Sequence, residues 1–214
     1  MRKAMKLTAV LLVSVIILTS CAGLGKLQPG SWDGDTFTNE WSNIKLTLPE
    51  GFRKLSGDEI KEIMNAGNDA MVNDGTMSQS EIDLSQLTYI YDLVIMDTED
   101  EISMVGLMYQ KALGVSSAEK YLDSTIDELV TNFSAMGLTA KKLSPSNITI
   151  AGGNYYKLGL SMEIPIDLEG NVMSYYQEYA AFKQGDMFIA LIIAYTSDTK
   201  GEIYDFLSSV TKAK

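Results

Sequence analysis

Met187-Phe188-Ile189-Ala190-Leu191-Ile192-Ile193-Ala194-Tyr195 runs for nine residues without a charged or amide side chain. A strand with one wet face alternates apolar with polar residues; a run without a polar face is buried on both. This segment therefore reads as a central strand covered above and below. Upstream of it, Tyr156, Leu158, Leu160, Met162 and Ile164 alternate with Lys157, Gly159, Ser161 and Glu163, the pattern of a half-buried strand. Residues 167–171 turn the chain, and 172–183 return along it. Downstream, Ile203, Phe206, Leu207 and Val210 fall on one stripe of a closing helix that Asp198 is placed to cap.

The first half supplies more strands and two more helices. Residues 37–41 and 44–48 form a first hairpin, with Ile44, Leu46 and Leu48 facing inward, and Pro49-Glu50-Gly51 makes a turn. Ser56 and Glu59 form a capping box opening a helix over 57–73, along which Ile60, Ile63, Met64 and Met71 share a face. A polar loop over 73–86 leads to two strands, 88–96 and 102–110. A second box, Ser116 with Glu119, opens a helix whose buried face is Ala118, Tyr121, Leu122, Ile126, Leu129, Val130, Phe133 and Met136, with Gly137 as its stop. Residues 139–150 are extended around Pro145. The order ββ-α-ββ-α-ββββ-α, with hairpin-length links, predicts an α+β fold: an α/β/α sandwich around a mainly antiparallel sheet, its helices covering both faces.

Phe37-Thr38-Asn39-Glu40-Trp41, Ile44-Lys45-Leu46-Thr47-Leu48-Pro49-Glu50-Gly51-Phe52 and the helix after the long apolar strand together resemble the Mog1/PsbP-like superfamily over residues 36–212. That family includes small bacterial lipoproteins and a thylakoid subunit associated with photosystem II. The resemblance implies the same fold and non-catalytic binding or assembly roles. Its markers are structural, so it brings no functional residue with it.

The N-terminus carries a different signal. Arg2, Lys3 and Lys6 precede an apolar run over 7–18, and Leu18-Thr19-Ser20-Cys21 follows. The run is shorter than the roughly 20 residues a spanning helix needs. The pattern resembles a bacterial lipoprotein signal peptide, with cleavage before a cysteine that receives lipid; Cys21 is the only cysteine. Residues 1–20 are thus expected to leave, Cys21 and residues 22–35 to form a lipidated tether rich in glycine, and 36–214 to fold as one domain. Acyl chains on Cys21 would hold the protein in a lipid bilayer at the extracytoplasmic face of the cell membrane. Loss of three basic residues leaves 14 Lys and Arg against 28 Asp and Glu, a charge of −14. That balance disfavours nucleic acid, whose phosphates need clustered cations. No cysteine pair can form a disulfide.

Histidine is absent, which removes the commonest general base and the Ser-His-Asp triad. Together with an acylated cysteine, this points away from an enzyme, and nothing suggests a cofactor. Acidic turns at Asp97, Glu99, Asp100 and Glu101, and at Asp167, Glu169 and Asn171, could attract calcium or manganese. Acids and glycine also populate ordinary solvated turns, and Asp69, Asn73 and Asp74 miss the calcium-loop spacing, so no metal site is assigned. Tyr155, Tyr156, Tyr175, Tyr176 and Tyr179 fall on two adjacent strands and are the candidate partner-binding patch, the alternative being cross-strand packing. Two function classes follow: an interaction or assembly module with a protein partner at the cell envelope, or a carrier sheltering a small apolar ligand or lipid. A solid interior would favour the first.

Overall fold

A computed structural model describes residues 28–73, 89–112, 114–135, 137–165 and 171–214. The expected leader, Cys21, the first part of the tether, the loop over 74–86, Met136, Asp167 and Glu169 lie outside the described residues. So do the side chains of Asp69, Met71 and Asn73.

The elements are β1 (Ser31–Asp33), β2 (Thr36–Asn39), β3 (Ile44–Thr47), β4 (Phe52–Lys54), α1 (Gly57–Asn73), β5 (Tyr89–Asp97) and β6 (Met104–Lys111). They continue with α2 (Ala118–Ala135), β7 (Ala140–Lys142), β8 (Ser146–Ile150), β9 (Gly153–Pro165), β10 (Val172–Gln184), β11 (Met187–Thr196) and α3 (Lys200–Ser209). The fold is α+β around an antiparallel sheet. β11 is buried along its whole length and lies inside the large sheet, whose order is β4-β5-β6-β11-β10-β9, with β7 and β8 both pairing on the outer side of β9.

Cover comes in two forms. On one face, α2 contributes Tyr121, Leu122, Ile126, Leu129 and Phe133, and α1 adds Ile60, Ile63 and Met64. On the other face, α3 contributes Ile203, Phe206 and Leu207, but it shares the work with a separate sheet, β1-β2-β3, carrying Phe37, Ile44 and Leu46. Helices thus cover both faces, as expected; α3 is too short to cover an eight-stranded sheet by itself, and the small sheet completes its layer. β1 lies in the segment expected to be a tether, and Ser31–Asp33 pairs with Thr36–Thr38.

Local chemistry explains most boundaries. Ser56 and Glu59 form the expected box: the Ser56 amide donates to Glu59 Oε2 at 2.8 Å and the Glu59 amide to Ser56 Oγ at 3.2 Å. α2 departs from expectation. Its cap is Ser117, whose Oγ accepts the Lys120 amide at 3.3 Å, and no reciprocal carboxylate completes a box. Asp198 does not cap α3 either; Thr199 precedes that helix, and its Oγ1 accepts the Thr196 amide. Gly137, at φ +80°, ends α2 while the Leu138 amide donates to the Phe133 carbonyl at 2.9 Å. Ala151 and Gly152 both have positive φ, giving β8 and β9 the tight turn that matches strand twist.

Gly159 faces Glu178 across the β9–β10 pair. A Cβ there would stand 2.5 Å from the Gln177 carbonyl oxygen and 2.7 Å from Glu178 Cα. Gly159→Ala is expected to destabilise the fold by ~1–3 kcal/mol through overpacking, read as a lower midpoint in urea unfolding. A second prediction concerns pH. Hydrogen bonds from the Ser56 amide, from Arg53 and from the Ser56 hydroxyl hold the Glu59 carboxyl at about 2, below its usual 4.5. A depressed acid stabilises the fold above its unfolded value and loses that contribution as pH falls through the folded one. The stability gap between the protein and Glu59→Gln should therefore be constant above about 4.5 and close as pH approaches 2. Glu59 is 42% exposed, so the gap itself should be under ~1 kcal/mol.

Candidate functional site

The five tyrosines of the candidate patch do not share a surface. Strand alternation and residue parity put Tyr156, Tyr175 and Tyr179 on the α2 side of the sheet and Tyr155 and Tyr176 on the α3 side. Tyr155 and Tyr175 are 3% and 2% exposed, and Tyr179 is fully buried. Only Tyr156 and Tyr176 are half-buried. The single-patch expectation is corrected for a simple reason: adjacent residues on a strand point to opposite faces, and both faces here are covered. Inside, the Tyr121 hydroxyl donates to Gln110 Oε1, and Gln177 Nε2 donates to the Tyr179 hydroxyl. Burial raises the phenols of Tyr121, Tyr175 and Tyr179, and pushes Tyr155 up to about 12. These side chains keep their protons and act as core.

A polar cluster absent from the sequence reading lies on the α3 side. Lys157 from β9, Glu178 from β10 and Tyr204 from α3 meet there. Lys157 Nζ is 2.7 Å from Glu178 Oε1, with side-chain exposures of 14% and 9%. The Tyr204 hydroxyl donates to Glu178 Oε2 and accepts from Lys157 Nζ. The ammonium also stands 4.9 Å from the Tyr204 ring centroid. Both carboxylate oxygens are taken, so the ring closes on itself. Burial first, and then the bond to Glu178, raise the Tyr204 phenol. Tyr195 lies against Tyr204 edge-on at 5.9 Å and stacks on Tyr176 at 5.1 Å. The cluster ends in this half-buried aromatic surface. Chemically it fastens α3 to β9 and β10; it offers no open base.

A second missed set surrounds Asp92. The β5–β6 register shifts between Tyr91 and Leu93, a bulge that re-aims Asp92 to the face carrying the small sheet. Its carboxylate accepts from the Gly30 amide at 2.9 Å, Asn39 Nδ2 at 2.7 Å and the Tyr109 hydroxyl at 2.8 Å. Asn39 Nδ2 also donates to the Gln28 carbonyl at 3.0 Å. Asp92 thereby pins the small sheet, and the entering chain, onto the large one. An acidic residue in the interior of an otherwise apolar run, Tyr89 to Met96, was the available signal.

The acidic turn at 97–101 is spent on its own backbone. Asp97 Oδ1 accepts the Glu99 and Asp100 amides, while Asp100 accepts the Ile102 and Ser103 amides and the Ser103 hydroxyl. Of the other turn only Asn171 is described. Among the described residues, no three His, Cys, Asp or Glu come together in a group suited to a metal ion. Among the same residues, no helix is long and apolar enough to cross a membrane.

No protein-family model matches the chain, and no curated protein matches it. Solved structures similar to it include the following two. The solution structure of cyanobacterial PsbP (CyanoP) from Synechocystis sp. PCC 6803 has a TM-score of 0.49 at 12% identity, covering 91% of this chain and 98% of its own. The crystal structure of LpqN, involved in cell envelope biogenesis of Mycobacterium tuberculosis, has a TM-score of 0.39 at 15% identity, covering 78% and 82%. The fold assignment rests on the strand registers above, and the function on the residues.

Glu178→Gln would leave the Lys157 charge without its counter-ion in a nearly dry site. Its expected cost is ~3–5 kcal/mol, the range for breaking a buried pair from one side. Tyr204→Phe removes one bridging hydroxyl and should cost less, ~1–3 kcal/mol. Urea unfolding of the two variants tests that order.

Proposed function

We propose that this protein is a non-catalytic interaction module, held at the extracytoplasmic face of a membrane by acylated Cys21 and engaging a protein partner at the cell envelope. The observation that carries the reading is where the buried charge goes. Asp92, Asp97, Asp100, Lys157 and Glu178 are each engaged in hydrogen bonds that fasten elements or close turns, in a chain without histidine. General acid–base chemistry needs a titrating group with a free position facing substrate. The lipid anchor is supported by Leu18-Thr19-Ser20-Cys21. The described interior supports a binder over a carrier, because both faces of the sheet are filled by large side chains such as Tyr109, Tyr121, Phe133 and Phe188.

The partner surface is the outer stretch of β10. Val172 is 52% exposed, and Val172, Ser174 and Tyr176 alternate onto one face beyond α3. Exposed apolar and aromatic groups at one place are the usual mark of a contact surface. Crosslinking of the membrane-extracted protein, analysed for proteins and lipids together, is expected to give one stoichiometric protein partner. Val172→Asp with Tyr176→Ala should abolish that crosslink, while Tyr156→Ala, on the opposite face, should leave it intact. A co-purified lipid or small molecule with no protein would overturn the module reading in favour of a carrier.

A further inference from the structure

The two ends of the large sheet differ in charge, and the chain enters at one of them. At the entry end, the Gly30 amide is held by Asp92 near the start of β5. The same end carries the close of β6 at Lys111, opposite Met187, and the β10–β11 turn, where Gln184 pairs with Met187. It also carries the β8–β9 turn, over which the Lys212 side chain lies. Gln184 Nε2 donates to the Trp41 carbonyl, and the Ala213 amide to Asn43 Oδ1, so the β2–β3 turn and the C-terminal residues gather there too. Lys111, Lys183, Lys212 and Lys214 gather there with the exposed acids Glu40 and Asp186, and the first turn of α2 adds one exposed charge of each sign, Glu119 and Lys120; Lys214 pairs with Glu40 at 2.7 Å, and Lys183 donates to the Val115 carbonyl. Half-buried Trp41 and Phe182, 38% exposed, complete the surface.

The opposite end has an excess of acids, its cations Arg53 and Lys54 being paired with Glu59 and Asp35. Asp97, opposite Phe52, opens the turn holding Glu99, Asp100 and Glu101. Glu50 precedes Gly51, whose carbonyl accepts the Thr98 amide. Asp198 lies beside Thr199, which meets Ser103 at 2.5 Å.

We propose that the entry end is the membrane-facing surface of this protein and that its partner is the anionic phospholipid headgroup layer. The inference rests on the Cys21 anchor. Gln28 follows Cys21 by seven residues, a reach of at most roughly 25 Å. β9 and β10, at 13 residues each, run roughly 40 Å, so the tether is shorter than the sheet it carries. Repulsion from an anionic leaflet turns the acidic end outward, and the lysines meet headgroups within a Debye length. Trp41 and Phe182 sit where amphipathic and aromatic rings favour the interface. Orientation with the acidic end outward presents Val172 away from the bilayer, since Val172 pairs with Pro165 at that end.

The test uses the full chain, extracted from membranes and returned to vesicles of phosphatidylcholine with a minor fraction of phosphatidylglycerol. Spin labels at Asp186→Cys and Glu99→Cys report on the two exposed end turns, and nickel chelated to lipid headgroups supplies the relaxant. The expected result is a several-fold larger relaxation enhancement at 186 than at 99. The contrast should shrink in a Lys212→Glu, Lys214→Glu variant on these vesicles and not on pure phosphatidylcholine. The mass of the Cys21 peptide is read in the same sample. An acylated Cys21 with equal enhancement at both turns overturns the orientation and leaves the anchor standing. A Cys21 peptide without acyl mass overturns the anchor and the orientation with it.

Discussion

A strand with no polar face needs cover on both sides, and β11 imposes that demand on everything around it. Ten consecutive buried residues stay dry only while two layers hold against the sheet, since apolar burial is worth roughly 25 cal/mol per Å² and is lost wherever water enters. α1 and α2 meet the demand from one side with ordinary amphipathic stripes. On the other side, a ten-residue helix and three short strands divide the task, and neither would stand alone. The polar clusters are placed at the two seams of that composite layer. Lys157, Glu178 and Tyr204 hold α3; Asp92 holds the small sheet.

Such seams exchange energy for specificity. A closed ion pair beneath an aromatic ring contributes little net stability over an apolar equivalent, yet a wrongly docked α3 would leave Glu178 Oε2 without the Tyr204 hydroxyl. Asp92 works the same way on the small sheet: sliding β1 and β2 by one residue would deprive its carboxylate of the Gly30 and Asn39 donors. Gly30 adds a steric condition, because a Cβ there would stand 2.2 Å from Phe37 Cζ. Register is therefore set twice, by charge and by contact.

The parts of this architecture that were legible in the sequence are those with a period. The alternation in β9, the unbroken run of β11, the capping box at Ser56 and the stripe of α2 each repeat a local signal over many residues. β1 and β4 have three residues each, too few for a period to show, and β1 was absorbed into a glycine-rich tether. The five tyrosines misled because proximity along two paired strands says nothing about which face a side chain takes. Lys157 and Glu178 stand 21 positions apart, and Tyr204 a further 26, so no local window contains the cluster. Two weak signs existed: a lone carboxylate within the apolar run of β5, and a glycine interrupting an otherwise alternating β9.

Asp92 also decides how the molecule bears a load. Any pull on the chain N-terminal to Gln28 arrives at β1, an edge strand of three residues whose backbone bonds would open one after another, like a zip. The carboxylate of Asp92 holds the Gly30 amide and, through Asn39 Nδ2, the neighbourhood of Gln28. These bonds lie ahead of the first backbone pair at Ser31 and Thr38, so they are strained first and together. The side chain is a mechanical stop, carrying traction directly into β5 of the large sheet and sparing the strand that would otherwise peel.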